Sequence, residues 1–544
     1  MRMLIWSNLK NKFASENLLW PRVKFTALLF FILTLGIELG RIGRDSYFLT
    51  TEGPEKIPYM YLFMAVLMLV ASGAYSMIVD KIRRDIFMKY LLASGIIFTL
   101  VVGFILRFKI KVPLFPFLVF CVVETYILFA FMHFWNYMNY VFDSKEGKPV
   151  FPLIGATGLL ATIVGGITAR VIAGYIGANS LFFIWSGILI LCYPLVGKIR
   201  YIVLNSGHTG DTLIDLDSQM SENKLGLDSM AKIAKIPLIR TIIYMSFPLW
   251  IIIYLVEYNY YGTMNRVYPN QDELAGFLGI FTSIASFAGL LLQLTLTPWM
   301  LRVLGVGAAS MVYPFSLTLG ALSLLLFTMF PEALGAHLEL FGIALFVVFA
   351  RFCDITIYYS VYESTSQLIY YAIPEFLRGK SRALISGVVM PMAMALAGGL
   401  LIFFEYLQEP IYNIAFVGLT CSFGLLVFSL KLTPDYLRSM LHSISPEDIK
   451  YREEVQKEIL KLEASDVRYV LLGAITSNVK AEALFAVEKL LENKDDELFE
   501  DIDEVSGQLD LAVSNIVLSN MNDSEKSKFP HLVEALNSKL NANI

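Results

Sequence analysis

Four charged residues crowd one oily stretch near the start of the chain. Glu38, Arg41 and Asp45 fall at i, i+3 and i+7, on one helical face, and Arg44 lies beside them. Two kinds of chemistry suit this pattern. The charges either pair internally and anchor the helix, or a guanidinium faces a cavity. There its planar fork would donate two parallel hydrogen bonds to a phosphate or a carboxylate. A second set repeats the idea. Arg351, Asp354 and Tyr358 stand at i, i+3 and i+7, with Glu363 and Gln367 following at i, i+4. Such a stripe on an otherwise apolar helix needs a wet or protein-facing surface, as cavity lining or as static hydrogen bonding between helices.

Isolated groups extend the pattern. Glu124 precedes His133, Trp135, Asn136 and Asn139 in one apolar stretch, Glu257 heads Glu-Tyr-Asn-Tyr in another, and Arg170 lies in a third. A carboxylate without a partner in low dielectric takes up a proton, which would suit proton coupling or partnership with a cavity arginine. A lone histidine there is more simply a packing residue. Trp135 and the tyrosines could stack on a ring, although packing and interfacial anchoring are the plainer use of aromatics. The residues expected to meet a solute are therefore Arg41, Arg44, Asp45, Asn136, Glu257, Arg351, Asp354, Glu363 and Gln367. Those expected to gate or couple are Glu38, Glu124, Asp80, Arg83 and Arg84. The last three form Asp80-Lys-Ile-Arg-Arg, a cluster that could latch neighbouring helix ends or simply supply positive loop charge.

Composition defines what must carry these groups. Of 544 residues, 56% are hydrophobic and 17% charged, with a mean hydropathy of +0.62. Ordinary soluble domains carry about 25% charged residues, so a soluble enzyme is excluded. The average conceals a division. Residues 432–544 hold 12 Lys+Arg and 22 Asp+Glu, leaving 31 basic and 25 acidic residues for 1–431. An oily, basic body precedes an acidic, water-soluble tail, and the tail alone has the composition of a soluble domain.

A spanning helix needs about 20 apolar residues. Twelve stretches qualify, at about 25–43, 57–79, 86–106, 113–141, 150–174, 179–197, 238–261, 274–297, 306–330, 338–372, 381–404 and 411–431. The expected class is an all-α membrane protein of twelve helices in two six-helix halves, 25–197 and 238–431. Around them lie an amphipathic basic segment (1–24), a hydrophilic linker (198–237) and a helical domain (432–544). With the N-terminus inside, short inner connections hold ten Lys/Arg and outer ones five, which places both termini in the cytoplasm. Residues 1–24 lack the pattern of a cleavable signal. One echo between two stretches suggests duplication. Phe151-Pro-Leu-Ile-Gly-Ala opens a span ending at Gly165-Gly166, and Arg382-Ala-Leu-Ile-Ser-Gly opens one ending at Gly398-Gly399. Six-plus-six duplication is the plan of many secondary transporters, and the glycine pairs are expected to allow close helix contact. In the tail, helices are expected at 446–464, 466–476, 478–492, 506–519 and 528–540, with Glu492–Glu504 as a solvated loop or binding face.

Other chemistries lack their signatures. No GxxxxGK[ST], HExxH or GxSxG occurs, and no basic-aromatic surface suggests nucleic acid. Cys121, Cys192, Cys353 and Cys421 form no CxxC pair, so they are expected as buried thiols. No metal and no cofactor is implied.

Several stretches resemble a known family. Arg83-Arg84 after Asp80 resembles the loop motif of the major facilitator superfamily. Arg44-Asp-Ser-Tyr-Phe-Leu with the following Gly-Pro and Ile57-Pro-Tyr-Met-Tyr resembles the first two spans of the ATP/ADP antiporter (nucleotide transporter) family. So do Phe134-Trp-Asn-Tyr-Met-Asn-Tyr-Val-Phe-Asp and Tyr362-Glu-Ser-Thr-Ser-Gln-Leu-Ile-Tyr-Tyr-Ala-Ile-Pro with Arg378-Gly-Lys-Ser-Arg-Ala. The tail resembles the helical-repeat (HEAT-like) extension of some bacterial members. The resemblance implies a twelve-span facilitator fold in a bacterial inner membrane, exchanging nucleotides by alternating access. This chain departs at Tyr47, where the family reads lysine, and at Tyr362 and Ser366, where it reads arginine and lysine. Losing cations from a low-dielectric cavity costs a polyanion several kcal/mol of binding, so the departures speak against ATP itself. The expected partners are membrane lipid, an anionic small molecule and a cytoplasmic protein docking on residues 432–544. A non-transporting scaffold that presents this tail is the alternative.

Overall fold

A computed structural model describes residues 19–79, 82–142, 144–205, 233–329, 339–373, 375–407, 410–442, 464–476, 480–492 and 498–541. Residues 1–18 of the amphipathic segment, Asp80, residues 206–232 of the linker and the tail helix expected before residue 464 lie outside the described residues.

The first six spans are α1 (Leu19–Glu52), α2 (Ile57–Val79), α3 (Arg84–Arg107), α4 (Phe115–Val141), α5 (Ser144–Ile176) and α6 (Leu181–Asn205). The second set is α7 (Pro237–Val267), α8 (Gln271–Val303), α9 (Val312–Met329), α10 (Glu339–Ile357), α11 (Glu363–Tyr371), α12 (Glu375–Leu384), α13 (Met390–Tyr406) and α14 (Pro410–Leu430). A π-helical turn, Tyr358–Tyr362, joins α10 to α11, and a second, Ile385–Val389, joins α12 to α13. Each pair is one long rod. Among the described residues, eleven helices are long and apolar enough to cross a membrane, one fewer than the twelve expected. The rod Glu339–Tyr371, at the expected tenth span, is not among them. Helices overrun the apolar stretches, as α1 does at both ends, because in a bilayer the backbone must satisfy its own hydrogen bonds.

In the first half α1 packs on α4, α5 and α6, while α3 packs on α4 and α6. In the second, α7 packs on α10, α13 and α14, while α9 packs on α10 and α14. The halves meet where α5 touches α8 and α2 touches α13. Glycine makes these contacts possible. A Cβ on Gly166 would lie 2.2 Å from the Gly279 carbonyl oxygen, and one on Gly279 would lie 2.4 Å from that of Gly166. A Cβ on Gly398 would lie 2.7 Å from the Pro58 carbonyl oxygen. The glycine pairs are thus helix contacts, although Gly399 itself faces open space.

Beyond α14 the chain continues as α15 (Leu432–His442), α16 (Ala464–Ala474), α17 (Lys480–Glu492), α18 (Leu498–Val505), α19 (Leu511–Asn520), α20 (Asp523–Lys528) and α21 (Pro530–Asn541). Two expectations change here. The acidic stretch is no open loop along its described part, because α18 buries Leu498, Phe499 and Ile502 in the tail's core. Nor does the tail stand apart. One apolar cluster runs from Met245, Tyr313 and Leu384 through Leu437 and Met440 to Val470, Phe485 and Leu536. Thr241 Oγ1 donates to Asp435 (2.6 Å) and Ser439 Oγ to the Ala372 carbonyl (2.7 Å). The tail is fastened to the second half.

Candidate functional site

The central helices α1, α4, α7 and α10 bring the expected charges together. Arg44 is buried, with Asp45 Oδ1 2.6 Å from Nη2, Glu124 Oε2 in contact with Nη1, and the Phe120 ring 4.1 Å below the guanidinium. In the second half Arg351 reaches Asp354 at 2.7 Å and Glu257 at 3.4 Å. Tyr313 donates to the other Asp354 oxygen. The two sets have one plan with the signs exchanged. An arginine on α1 meets a glutamate on α4, whereas a glutamate on α7 meets an arginine on α10. Both pairs cross between the central helices of one half. The Tyr261 hydroxyl, from α7, donates to Asp45 Oδ2 on α1 at 2.7 Å and so joins the halves.

Arg41 differs from both. Its ion pair is with Glu38, at 3.7 Å, and its side chain is 34% exposed against 3% for Arg44. The expected internal pairing on α1 is therefore present, together with contacts that spacing does not reveal. Asn136 is half-buried farther along α4. Gln367 donates to Glu363 (2.7 Å) and accepts from Arg382, whose guanidinium lies over the Tyr370 ring. This polar set ties α11 to α12 rather than meeting Arg351. Arg83 pairs with Asp85 (2.9 Å), which also accepts from Arg200 on α6 at 3.1 Å. That cluster lies within the first half. His133 is held by packing chemistry. Its Nε2 donates to the Arg84 carbonyl (2.8 Å), leaving Nδ1 to accept from the Tyr75 hydroxyl at 3.1 Å.

Hydrogen bonds between the halves cluster toward one end of the bundle, the end opposite the α6–α7 linker. Ala178 N donates to Asp272 Oδ1 (2.6 Å), Gln271 Nε2 to Asn179 Oδ1 (3.0 Å) and Ser283 Oγ to the Ile163 carbonyl (2.9 Å). Tyr61 donates to the Tyr254 carbonyl at 3.4 Å. A small pocket there is lined by Asp45, Phe120, Tyr61, Glu257 and Tyr261. Tyr261, Tyr313 and Phe120 were not singled out by the sequence pattern. Only Tyr261 had a readable signal, one helical turn after Glu257.

Two six-helix halves, meeting through glycines and enclosing paired charges, define a helical membrane protein of major facilitator-like architecture. The model of the TLC ATP/ADP transporter family matches residues 115–408, and the chain belongs to that family. ADP,ATP carrier protein 3 of Rickettsia felis is 21% identical over 280 residues, covering 46% of this chain and 55% of that one. The plastidic ATP/ADP-transporter of Solanum tuberosum is 22% identical over 290 residues, covering 49% and 44%. The chain thus spans about half the length of the curated relatives it matches. A D-xylose–proton symporter crystal structure superposes with a TM-score of 0.51 at 12% identity, covering 76% of this chain and 98% of that one, a likeness of fold alone. The family is one of carriers, in keeping with the absence of enzyme motifs.

Proposed function

We propose that the protein is a secondary transporter working by alternating access and exchanging an anionic solute of the nucleotide class. The observation that carries this reading is the sign-exchanged pair, Arg44–Glu124 in one half and Arg351–Glu257 in the other. Buried ion pairs cost desolvation and seldom add net stability. In a bilayer, ionisable groups facing a bundle's interior mark substrate pathways. Here they sit at the contact between halves that alternating access must rearrange. Arg41, Arg44 and Arg351 are the cations available to an anion. Glu257 and Glu124 hold two of them until the solute arrives, and Glu38 does so for Arg41.

The contacts joining the halves at the end away from the linker describe a molecule closed on that side. With both termini in the cytoplasm of a bacterial cell, as loop charge suggests, this is an inward-facing state of an inner-membrane carrier. A protein partner for residues 432–544 would have to use their polar outer surface, since their apolar faces are occupied internally and against the second half. Family membership favours transport over the scaffold alternative. Counterflow in proteoliposomes, with a panel of nucleotides and smaller anions, tests the assignment. Labelled nucleotide should accumulate only in vesicles preloaded with unlabelled solute, and failure of every nucleotide to accumulate would refute it.

A further inference from the structure

Helices α3 and α6 of the first half pack together, and their linker ends carry several cations. Two of these are committed: Arg83 and Arg200 both bind Asp85, at 2.9 Å and 3.1 Å. Lys89 on α3 and Lys198 on α6 have no carboxylate partner among the described residues. Each ammonium instead lies over a tyrosine ring of α6. Lys89 Nζ is 5.6 Å from the Tyr193 centroid, and Lys198 Nζ is 5.6 Å from that of Tyr201. Both rings are exposed.

The two lysines border one open spot. Tyr193, Gly197 and Tyr201 stand at i, i+4 and i+8, on one face of α6. A Cβ on Gly197 would have the Lys89 ammonium, at 4.0 Å, as its one neighbour within that distance among the described residues. Lys89 thus crosses from α3 to the glycine, and Lys198 is the next residue along α6. Helical side chains lean toward the N-terminus, which brings the Tyr201 ring, with Lys198 over it, back toward Gly197. The spot has a ring on either side and an ammonium from each helix. Both lysines lie within about two turns of their helix ends at Arg84 and Asn205. At that depth lysines reach the headgroup layer and tyrosines anchor. About two turns deeper, Ile97 on α3 and Ile190 on α6 are exposed, so apolar surface continues below the cations.

We propose that Lys89, Lys198, Tyr193 and Tyr201, arranged about Gly197, form a site for an anionic phospholipid of the leaflet on the linker side. Its phosphate lies between the two ammoniums and an acyl chain runs down over Ile97 and Ile190. Each lysine near the membrane surface contributes about fivefold to affinity for an anionic lipid, and basic pockets between spans hold such headgroups. The tyrosine rings keep the ammoniums in place, and their hydroxyls are donors for the phosphate. Glycine supplies the room, since a larger side chain at 197 would fill the phosphate's position. The apolar surface below the cations separates a phospholipid from a free phosphate, which would use the cations alone. The site is remote from the Arg44 and Arg351 pairs and independent of the cargo.

Native mass spectrometry of the purified full-length protein with phosphatidylglycerol or phosphatidylcholine tests this. The variants are Lys89→Gln, Lys198→Gln, the two combined, Gly197→Leu and Lys56→Gln. Lys56 is the control, because its ammonium lies 5.7 Å from the Tyr59 centroid at the opposite end of the bundle. All four positions are exposed or half-buried, so the variants should stay folded, which thermal unfolding checks. The wild type should hold phosphatidylglycerol more tightly than phosphatidylcholine. Each change at Lys89 or Lys198 should weaken phosphatidylglycerol about fivefold, and both together about twenty-fivefold, with phosphatidylcholine unaffected. Lys56→Gln should match the wild type. Gly197→Leu should weaken phosphatidylglycerol although no charge is lost, which separates a shaped site from diffuse attraction. Equal retention of the two lipids, an equal loss in Lys56→Gln, or no loss in Gly197→Leu would overturn the proposal. So would displacement of phosphatidylglycerol by millimolar inorganic phosphate, which would assign the spot to a free anion.

Discussion

The two halves hold their central helices with the same pair of residues in opposite order, and they hold them unequally. In the first half, Arg44 is buried beneath Phe120 and in close contact with both of its carboxylates. Beside it Trp185 from α6 is completely buried against Gly36 and Gly40 of α1. In the second half, Glu257 stands 3.4 Å from Arg351, and among the described residues Arg351 Nε has no hydrogen-bond partner, as is also true of Trp185 Nε1 in the first half. Around it α7, α9, α10 and α14 leave an apolar groove of about 640 Å³ edged by Gly320, Ala350, Cys353 and Gly418. Both π turns are in this half. Close packing makes a half rigid, so the difference points to a firm first half and a second half able to adjust during transport.

The most severe way to break that comparison is to remove the arginines. Arg44→Ala leaves the buried Asp45 and the part-buried Glu124 without their partner and should cost about 3–5 kcal/mol of stability. Arg351→Ala, where Glu257 stands farther off at 3.4 Å, should cost less. Thermal unfolding in detergent measures both, and equal losses would erase the asymmetry. Next in size is a pair of glycine changes. Gly40→Ala places a methyl 2.2 Å from the Trp185 ring and should cost about 1–3 kcal/mol by overpacking. Gly418→Ala, whose nearest neighbour is 4.0 Å away, should be neutral or stabilising by up to about 1 kcal/mol. Unfolding temperatures moving in the same direction would contradict the packing difference. A smaller effect is expected at the bridge between halves. Tyr261→Phe removes one hydrogen bond to Asp45, costing about 0.5–1.5 kcal/mol, and should favour separation at the far end, visible as faster labelling of a cysteine placed at Glu273. Smallest of all, Arg83→Ala at a pair whose arginine is 44% exposed should change stability by about 0–1 kcal/mol, with unfolding temperature again the readout.

Much of this was legible in the sequence, and the remainder has a physical explanation. Hydropathy located the start of the span at Ile57, because a bilayer demands a continuous apolar stretch. Helical spacing found the contacts within one helix, Glu38–Arg41, Arg351–Asp354 and Glu363–Gln367. It could not find Arg44–Glu124 or Tyr261–Asp45, whose partners lie 80 and 216 residues apart and meet only through helix packing. The exchange of sign between halves was hidden for the same reason, since it belongs to pairs rather than to residues. The tail's composition set it apart from the oily body, but composition does not show against what a face is packed.

The central claim is that the halves rock about the paired charges, opening one end as they close the other. Pulsed dipolar spectroscopy on spin labels tests it directly. One pair, at Tyr175 and Glu273, reports the end away from the linker, and another, at Lys198 and Arg302, reports the linker end. Both pairs join exposed positions in opposite halves. Alternating access predicts that adding nucleotide lengthens the first distance and shortens the second within the same population. Distances that stay fixed, or that lengthen together, would contradict it.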